Sequence, residues 1–243
     1  MGVSSREEPR TVEIQTMYNY PLHFPEGDVM VRHVTNKGYY EHDLLEALRE
    51  TTGPLADGAW VDVGAYVGTH SSFFLDQTPA REVFAYEPTL LSYRLLERNI
   101  KTLRKVSKTA ASKRFVAHCR AVSDRKGWAS ISSYKSTNIG GTRWSSDRRS
   151  GDQRPVVTLD SHLPRQLRQP LSVLKVDAED NDQRVLEGAS QLISTYRPVI
   201  AFEALEGQYA HDILNFLSQW DYRVVWDKKE IKYIVRPGET KDA

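Results

Sequence analysis

The sequence predicts an α/β fold whose central sheet is mostly parallel and ends in an antiparallel C-terminal hairpin. Three observations predict it. Short apolar runs alternate with stretches of helical spacing along most of the chain. One run, Ala59-Trp60-Val61-Asp62-Val63, passes into a tight turn, Gly64-Ala65-Tyr66-Val67-Gly68, that opens a helix. Two β-rich runs joined by a short turn follow the last helix. Strands separated by crossover helices lie parallel and are covered on both faces, and such a sheet binds ligands at the carboxyl ends of its strands.

Residues 1–36 are polar, with short strand-like pieces and turn signals at Pro21, Pro25 and Gly27, and read as an N-terminal arm. Residues 37–243 then form the main domain. Tyr40, Leu44, Ala47 and Leu48 space a helix from about Tyr39 to Glu50, which Gly53-Pro54 ends. After the glycine turn a helix runs from Thr69 to about Asp76. Glu82 to Pro88 is a second strand, and Tyr93, Leu96, Ile100 and Leu103 mark the next helix. Phe115 to Val122 is a third strand. Residues 127–160 break the alternation and read as an inserted strand, an irregular loop and a returning strand. Ser172 to Asp177 is the next core strand, and Val185, Ala189, Leu192 and Ile193 give one helix face. Pro198 to Glu203 is a strand, Tyr209, Ile213, Phe216 and Leu217 mark the last helix, and Tyr222–Trp226 and Glu230–Val235 form the closing hairpin.

With 243 residues, 40% hydrophobic and 27% charged, the composition is that of a globular domain with one sizeable core. No apolar run approaches the roughly 20 residues of a membrane span, and the start of the chain lacks the apolar stretch of a secretory signal. Gly2 followed by Ser5 only faintly matches an acylation signal. The lone Cys119 rules out an internal disulfide, suits a reducing, cytoplasmic setting and is expected to pack in a strand. Net charge is +1, so no global field favours nucleic acid. Ten basic residues between Arg98 and Lys126 face one acid, Asp124, and Arg143, Arg148, Arg149 and Arg154 form a second cluster. The first stretch suits a solvated helix face better than an RNA or phosphate site, because it lacks interleaved aromatics.

Four places carry chemistry. At the glycine turn the backbone can approach a ligand closely, the helix amides attract a carboxylate, and Asp62 can answer an ammonium; a methionine moiety has both groups. Glu87 ends the second strand about 20 residues on, where a carboxylate accepts both hydroxyls of a ribose. Together the two sites point to an adenosyl ligand. Lys175-Val176-Asp177-Ala178-Glu179-Asp180-Asn181-Asp182 lies at the end of a central strand, where acids act as a base, hold hydroxyls or bind Mg²⁺; Asp180 and Asp182 equally complement a helix N-terminus. Asn138-Ile139-Gly140-Gly141-Thr142 suits a loop at the mouth of such a site.

In order and spacing these residues resemble the FkbM family of methyltransferases, from about Tyr39 to Glu203. The resemblance rests on Gly38-Tyr39-Tyr40-Glu41, Val61–Gly68, Phe84–Pro88 with Asn99, Ala121-Val122-Ser123-Asp124, Asn138–Gly141, Val157–Asp160, Leu174–Glu179, Leu186–Ala189 and Arg197–Ile200 with Glu203. It implies a Rossmann-like class I methyltransferase sheet, S-adenosylmethionine as cofactor, and methylation of an oxygen on a sugar or natural product. It also implies that Asp62, Gly64, Ala65, Tyr66 and Gly68 embrace the cofactor and Glu87 holds its ribose, with Glu41 on the same ligand. Ala121 and Asp124 are the candidates for adenine. Tyr66 stands where the family usually has asparagine, and Asp180-Asn181-Asp182 where it usually has glycine, a variable residue and glutamate.

Methyl transfer to a hydroxyl needs alignment and a base. Asp177 is the first candidate, with Lys175 and Glu179 shaping its charge; His70 and His162 come next. No residue is assigned to a metal. The expected acceptor is a small-molecule hydroxyl, glycosidic or anionic, and oligomerisation stays open. Two other classes compete: a nicotinamide-dependent oxidoreductase, which the absence of a G-x-G-x-x-G turn disfavours, and a cofactor-binding module without turnover, which the altered 180–182 segment favours.

Overall fold

The computed structural model describes residues 10–53, 56–145, 151, 153–204, 207–229 and 231–238. The first nine residues, Arg148, Arg149 and Glu230, which entered the sequence reading, lie outside this set.

The main sheet grows from β3 (Ala59–Val63), whose five residues are all buried. Successive side chains point to opposite faces. Trp60 therefore enters one apolar layer and Val61 and Val63 the other. β4 (Glu82–Tyr86) and β5 (Arg114–His118) add on one side of β3, and β10 (Leu171–Val176) and β11 (Val199–Glu203) on the other, all parallel. The order is β12-β13-β11-β10-β3-β4-β5. β12 (Tyr222–Lys228) and β13 (Lys232–Pro237) are the predicted hairpin, but the second strand sits inside. Only β13 runs antiparallel, pairing Glu203 with Lys232 and Phe202 with Tyr233. The strand order reverses between β3 and β10, which opens a crevice at their carboxyl ends.

Helices α3 (Thr69–Gln77) and α4 (Leu90–Val106) cover one face, with α2 (His42–Thr52) beside them. The short α6 (Leu159–His162), α7 (Asp182–Glu187) and α8 (Ser190–Tyr196), with α9 (Gly207–Ser218), cover the other. The helix face expected from Val185 to Ile193 is two helices, broken at Gly188. A Cβ on Gly188 would lie 2.2 Å from the Ser123 carbonyl, so the chain must pass close there.

From Thr11, the segment read as an arm is a hairpin, β1 (Thr11–Gln15) with β2 (Pro21–Pro25), followed by α1 (Val29–Lys37). Tyr20, Leu22 and Phe24 are buried in the same layer as Trp60. Asp28 caps α1 by accepting from the Met30 amide at 2.9 Å. The short α5 (Lys108–Ser112) precedes β5.

The third predicted strand divides. After β5 the chain turns at Cys119, and β6 (Ala121–Val122) joins a separate sheet, β6-β9-β7-β8. There β7 (Gly127–Lys135), β8 (Asn138–Ser145) and β9 (Gln153–Val157) form the insertion. Residues 138–142, expected in a loop, are a strand paired with β7. Their two glycines weaken the strand signal. Cys119 is half-buried, with its Sγ 3.7 Å from the Pro88 carbonyl. Part of the basic stretch ties elements together: Arg114 pairs with Glu82 at 3.2 Å and donates to the Gln166 carbonyl at 2.7 Å, and Arg104 donates to the Lys113 carbonyl. Among the described residues, no helix is long and apolar enough to cross a membrane.

Candidate active site

Strand register builds the site. Asp62 on β3 is the register partner of Lys175 on β10, which partners Ala201 on β11. Two residues further along each strand the same face is presented again. There Asp177 and Glu203 follow, with Lys232 of β13 opposite Glu203. Charged groups thus line up across the strand ends. Glu41, just before α2, and His70, in the first turn of α3, close the group from the helical layer.

Lys175 is 4% exposed and fully partnered. Its ammonium lies 3.0 Å from Asp62 Oδ1 and 3.8 Å from Asp177 Oδ2, and donates to the carbonyls of Gly64 and Val63 at 3.1 and 3.3 Å. Burial pushes it down, but the carboxylates of Asp62 and Asp177 outweigh that and hold it above the ordinary lysine range. Asp62 is fully buried and also accepts from the Ser71 hydroxyl at 2.6 Å. It anchors the turn from beneath. Burial pushes Asp177 up, but Lys175 and Lys232 together hold it below the usual carboxylate range. Glu203 goes the other way: burial and then Asp177 raise it to about 8. Lys232 binds Glu203 Oε2 at 3.3 Å and Glu41 Oε1 at 2.5 Å. His70, pushed below the ordinary histidine range by burial and by Lys175, stacks on Tyr40, with its Nε2 3.4 Å from Glu41.

The glycine turn has its own logic. Gly64 has φ 74°, and a Cβ there would lie 1.7 Å from the Asp177 carbonyl, so β3 and β10 close on each other only without a side chain. Gly68, at φ 87°, lets α3 meet Leu96. Tyr66 is left-handed too, at φ 49°, a conformation asparagine tolerates better. Its ring packs on Gly140 and its hydroxyl faces Asp28. Glu87 is 6% exposed; its two oxygens accept from the amides of Tyr66 at 2.9 Å and Thr89 at 2.7 Å. Burial pushes it up to about 7 against these bonds.

Three adjoining cavities run along the strand ends. One of about 290 Å³ is lined by Tyr40, Gly64, His70, Asp177, Glu179 and Glu203 among others. A slot of about 50 Å³ lies between Gly64, Glu87, Ala121, Val122, Thr142 and Ala178. The third, about 340 Å³, continues past Ala121 to Arg143 and Arg184. The β7–β8 hairpin roofs them. It is fastened where Arg143 meets Asp180 at 2.9 Å and where the Ile139 amide donates to Asp28 at 3.0 Å.

Of the residues expected at the site, Gly64, Ala65, Tyr66, Glu87, Ala121, Lys175, Asp177 and Glu179 line these cavities. Glu41 joins the charged cluster. Gly68 and Asp62 shape the floor. Asp124 lies in a neighbouring cleft with Arg125 and Trp128. His162 lies apart, bonded to the Tyr86 hydroxyl at 3.0 Å and packed on His118. Lys232 was not anticipated, and Glu203 was noted only as part of a family pattern. Their convergence depends on β13 inserting beside β11, which no local pattern states. Among the described residues, no group of three or more His, Cys, Asp or Glu side chains is disposed to hold a metal ion.

The sequence profile of the FkbM methyltransferase domain matches residues 62–224. The chain belongs to the FkbM methyltransferase family. No curated protein matches its sequence. Among solved structures, the FkbM methyltransferase of Methylobacillus flagellatus KT is similar over 76% of this chain and 44% of its own, at TM-score 0.55 and 15% identity. This chain thus spans less than half the length of that protein, and the likeness shows the fold. Other similar structures are the precorrin-6y C5,15-methyltransferase of Geobacter metallireducens GS-15 (TM-score 0.48, 12% identity, 83% and 93% of the two chains) and the ribosomal protein L11 methylase of Lactobacillus delbrueckii subsp. bulgaricus (0.47, 12%, 84% and 83%). The sheet order and the likeness to the Methylobacillus protein give this FkbM chain the Rossmann-like sheet of its family.

Proposed function

We propose that this FkbM protein transfers a methyl group from S-adenosylmethionine to a hydroxyl oxygen of a small molecule, a sugar or natural product. One observation carries the reading: the Glu87 slot and the cavity at Asp177 adjoin beside the glycine turn, sharing Gly64, Asp177 and Glu179 in their walls. The donor set suits the cofactor. Each Glu87 oxygen has one amide partner and keeps a lone pair for a ribose hydroxyl. Val63, Pro88, Ala121, Val122 and Ala178 give the slot an apolar lining suited to a base. Beyond the turn, the first turn of α3 favours a carboxylate and the acids Asp177, Glu179 and Glu41 an ammonium.

When bound, the cofactor supplies a methyl carbon whose bond to sulfur breaks, with its electron pair passing to sulfur, as the bond to oxygen forms. The protein supplies the rest. Asp177, held ionised by Lys175 and Lys232, accepts the proton of the acceptor hydroxyl. Lys175, locked by four partners, fixes Asp177 against the turn. Tyr66 and the hairpin roof exclude water and hold the acceptor in line, a contribution of roughly 7–11 kcal/mol in well-oriented systems. The test is transfer of a labelled methyl group to a panel of hydroxylated acceptors. Wild-type turnover with Asp177→Asn at least about 100-fold slower, the scale of a lost general base, supports the reading. Transfer to nitrogen acceptors alone, or equal rates for the variant, overturns it.

A further inference from the structure

The family match ends at residue 224, yet the charged cluster is completed from outside it, by Glu41 before the matched span and Lys232 after it. Lys232 arrives on β13, the one antiparallel strand of the main sheet among the described residues, in register with Glu203. Its side chain is 15% exposed, and its ammonium bridges Glu41 and Glu203. Asp177 and Glu203 lie side by side at the ends of neighbouring parallel strands, next to the Val176–Phe202 register pair, and line the same cavity. Carboxyl groups placed in this way titrate as a pair.

We propose that Lys232 is a positioning residue for methyl transfer: it pins Glu203 and Glu41 beside Asp177 and helps keep the Asp177 carboxylate ionised. This rests on Asp177 being the base. The groups facing the pair are Asp62 of β3, Lys175 of β10, Glu179 and Asp182 after β10, Lys232 of β13, Tyr40 and Glu41 before α2, and His70 of α3. Lys175 sits nearest Asp177 and is itself saturated by Asp62 and two carbonyls. Lys232 is the cation that contacts Glu203 directly and faces Asp177 as well. With both lysines in place the bare carboxylate is Asp177, which lines both the cavity of about 290 Å³ and the Glu87 slot, and Glu203 beside it holds its proton. Without Lys232 both carboxyl groups are harder to ionise, and Asp177 loses its charge at a higher pH although every carboxyl group remains.

The experiment is ¹³C titration of side-chain carboxyl groups in the full chain, assigned with Asp177→Asn and Glu203→Gln, and needs neither cofactor nor acceptor. In the wild type one carboxyl titrates at about pH 8 and its partner stays ionised into the acid range. Lys232→Met raises the Asp177 midpoint by about one pH unit or more, the scale of a lost neighbouring charge, and Lys232→Arg restores it. The acid limb of kcat for methyl transfer shifts with the midpoint, whereas KM for S-adenosylmethionine does not. Glu41→Gln, which leaves Lys232 to the pair alone, lowers both midpoints and serves if Lys232→Met does not fold. Unmoved midpoints in folded Lys232→Met or Glu41→Gln protein would reduce Lys232 to a strut and overturn the proposal. Shifted midpoints with methyl transfer indifferent to Asp177→Asn would instead fault the choice of base.

Discussion

On the Glu87 side of the cleft, backbone holds side chains; on the Asp177 side, side chains hold one another. Glu87 is fixed by two amides of its own and the neighbouring turn, within 21 residues of sequence. Asp177 is governed by lysines of β10 and β13, by Glu203 of β11 and by His70 of α3. The first construction is local and keeps a short sequence signature. The second is tertiary, and its members can be exchanged as long as charge and register balance. Backbone conformation follows the same division. Glycine takes two of the three left-handed positions of the turn, whereas Glu179 and Asp180 adopt φ 50° and 71° without it. Strain of this kind is held by its surroundings, here the Arg143 pair and the Asp182 carboxylate that accepts from the Ala178 amide at 3.2 Å.

The largest effect should come from breaking the local side. Gly64→Ala forces a Cβ onto the Asp177 carbonyl at φ 74°, and a loss of more than about 3 kcal/mol in urea denaturation is expected. Next is Glu87→Gln. Glu87 is raised on folding from 4.5 to about 7, so the native state holds a proton there that the unfolded chain has lost. Stability from this group therefore falls as pH rises through that window and stays low above it. The glutamine variant should be more stable than wild type at pH 8.5, by about 1–2 kcal/mol after the loss of one amide acceptor, while S-adenosylmethionine affinity drops at least about tenfold. A gain in affinity would separate Glu87 from the ribose.

The pH dependence of the melting temperature sharpens the contrast. Asp182, raised from 3.8 to about 7, and Glu203, raised from 4.5 to about 8, add to Glu87: their stability is lost as pH climbs from the unfolded values near 4 through 7 to 8 and stays low above that. Below about 6.5, His23, His70, His118 and His162, all held down by burial, act oppositely, because only the unfolded chain gains their protons. Between about pH 6.5 and 8 the histidines no longer contribute and the acids still lose stability, so calorimetry should show a melting temperature that falls across that range; a steady rise to pH 8.5 would contradict the buried-acid account. The smallest effect belongs to the roof: Arg143→Ala removes an exposed ion pair and should cost under about 1 kcal/mol, shrinking further in salt.

The sequence made β3, β4, β10 and β11 legible because each is a compact apolar run stopped by a turn or an acid, and the glycine turn because it is contiguous. It hid α1, whose few apolar residues serve contacts to the β1–β2 hairpin rather than a clear stripe. It also hid β8, since Gly140 and Gly141 mimic a loop while the strand bonds to β7 and Gly140 meets Tyr66. Val122 reads as the end of β5, but the chain turns at Cys119 and the strand that follows pairs with β9, 35 residues on. At the site, Asp177 and Glu87 were visible as strand-end acids. Lys232 was not, because a lysine in a hairpin strand announces nothing until β13 is placed beside β11.

The most direct measurement is calorimetric titration of S-adenosylmethionine into the wild-type chain and into Glu87→Gln at pH 8. Saturable one-to-one binding to the wild type, weakened at least about tenfold by the substitution, is the predicted result. A folded wild type that binds no S-adenosylmethionine, or binds it equally well without the Glu87 carboxylate, would contradict the cleft described here.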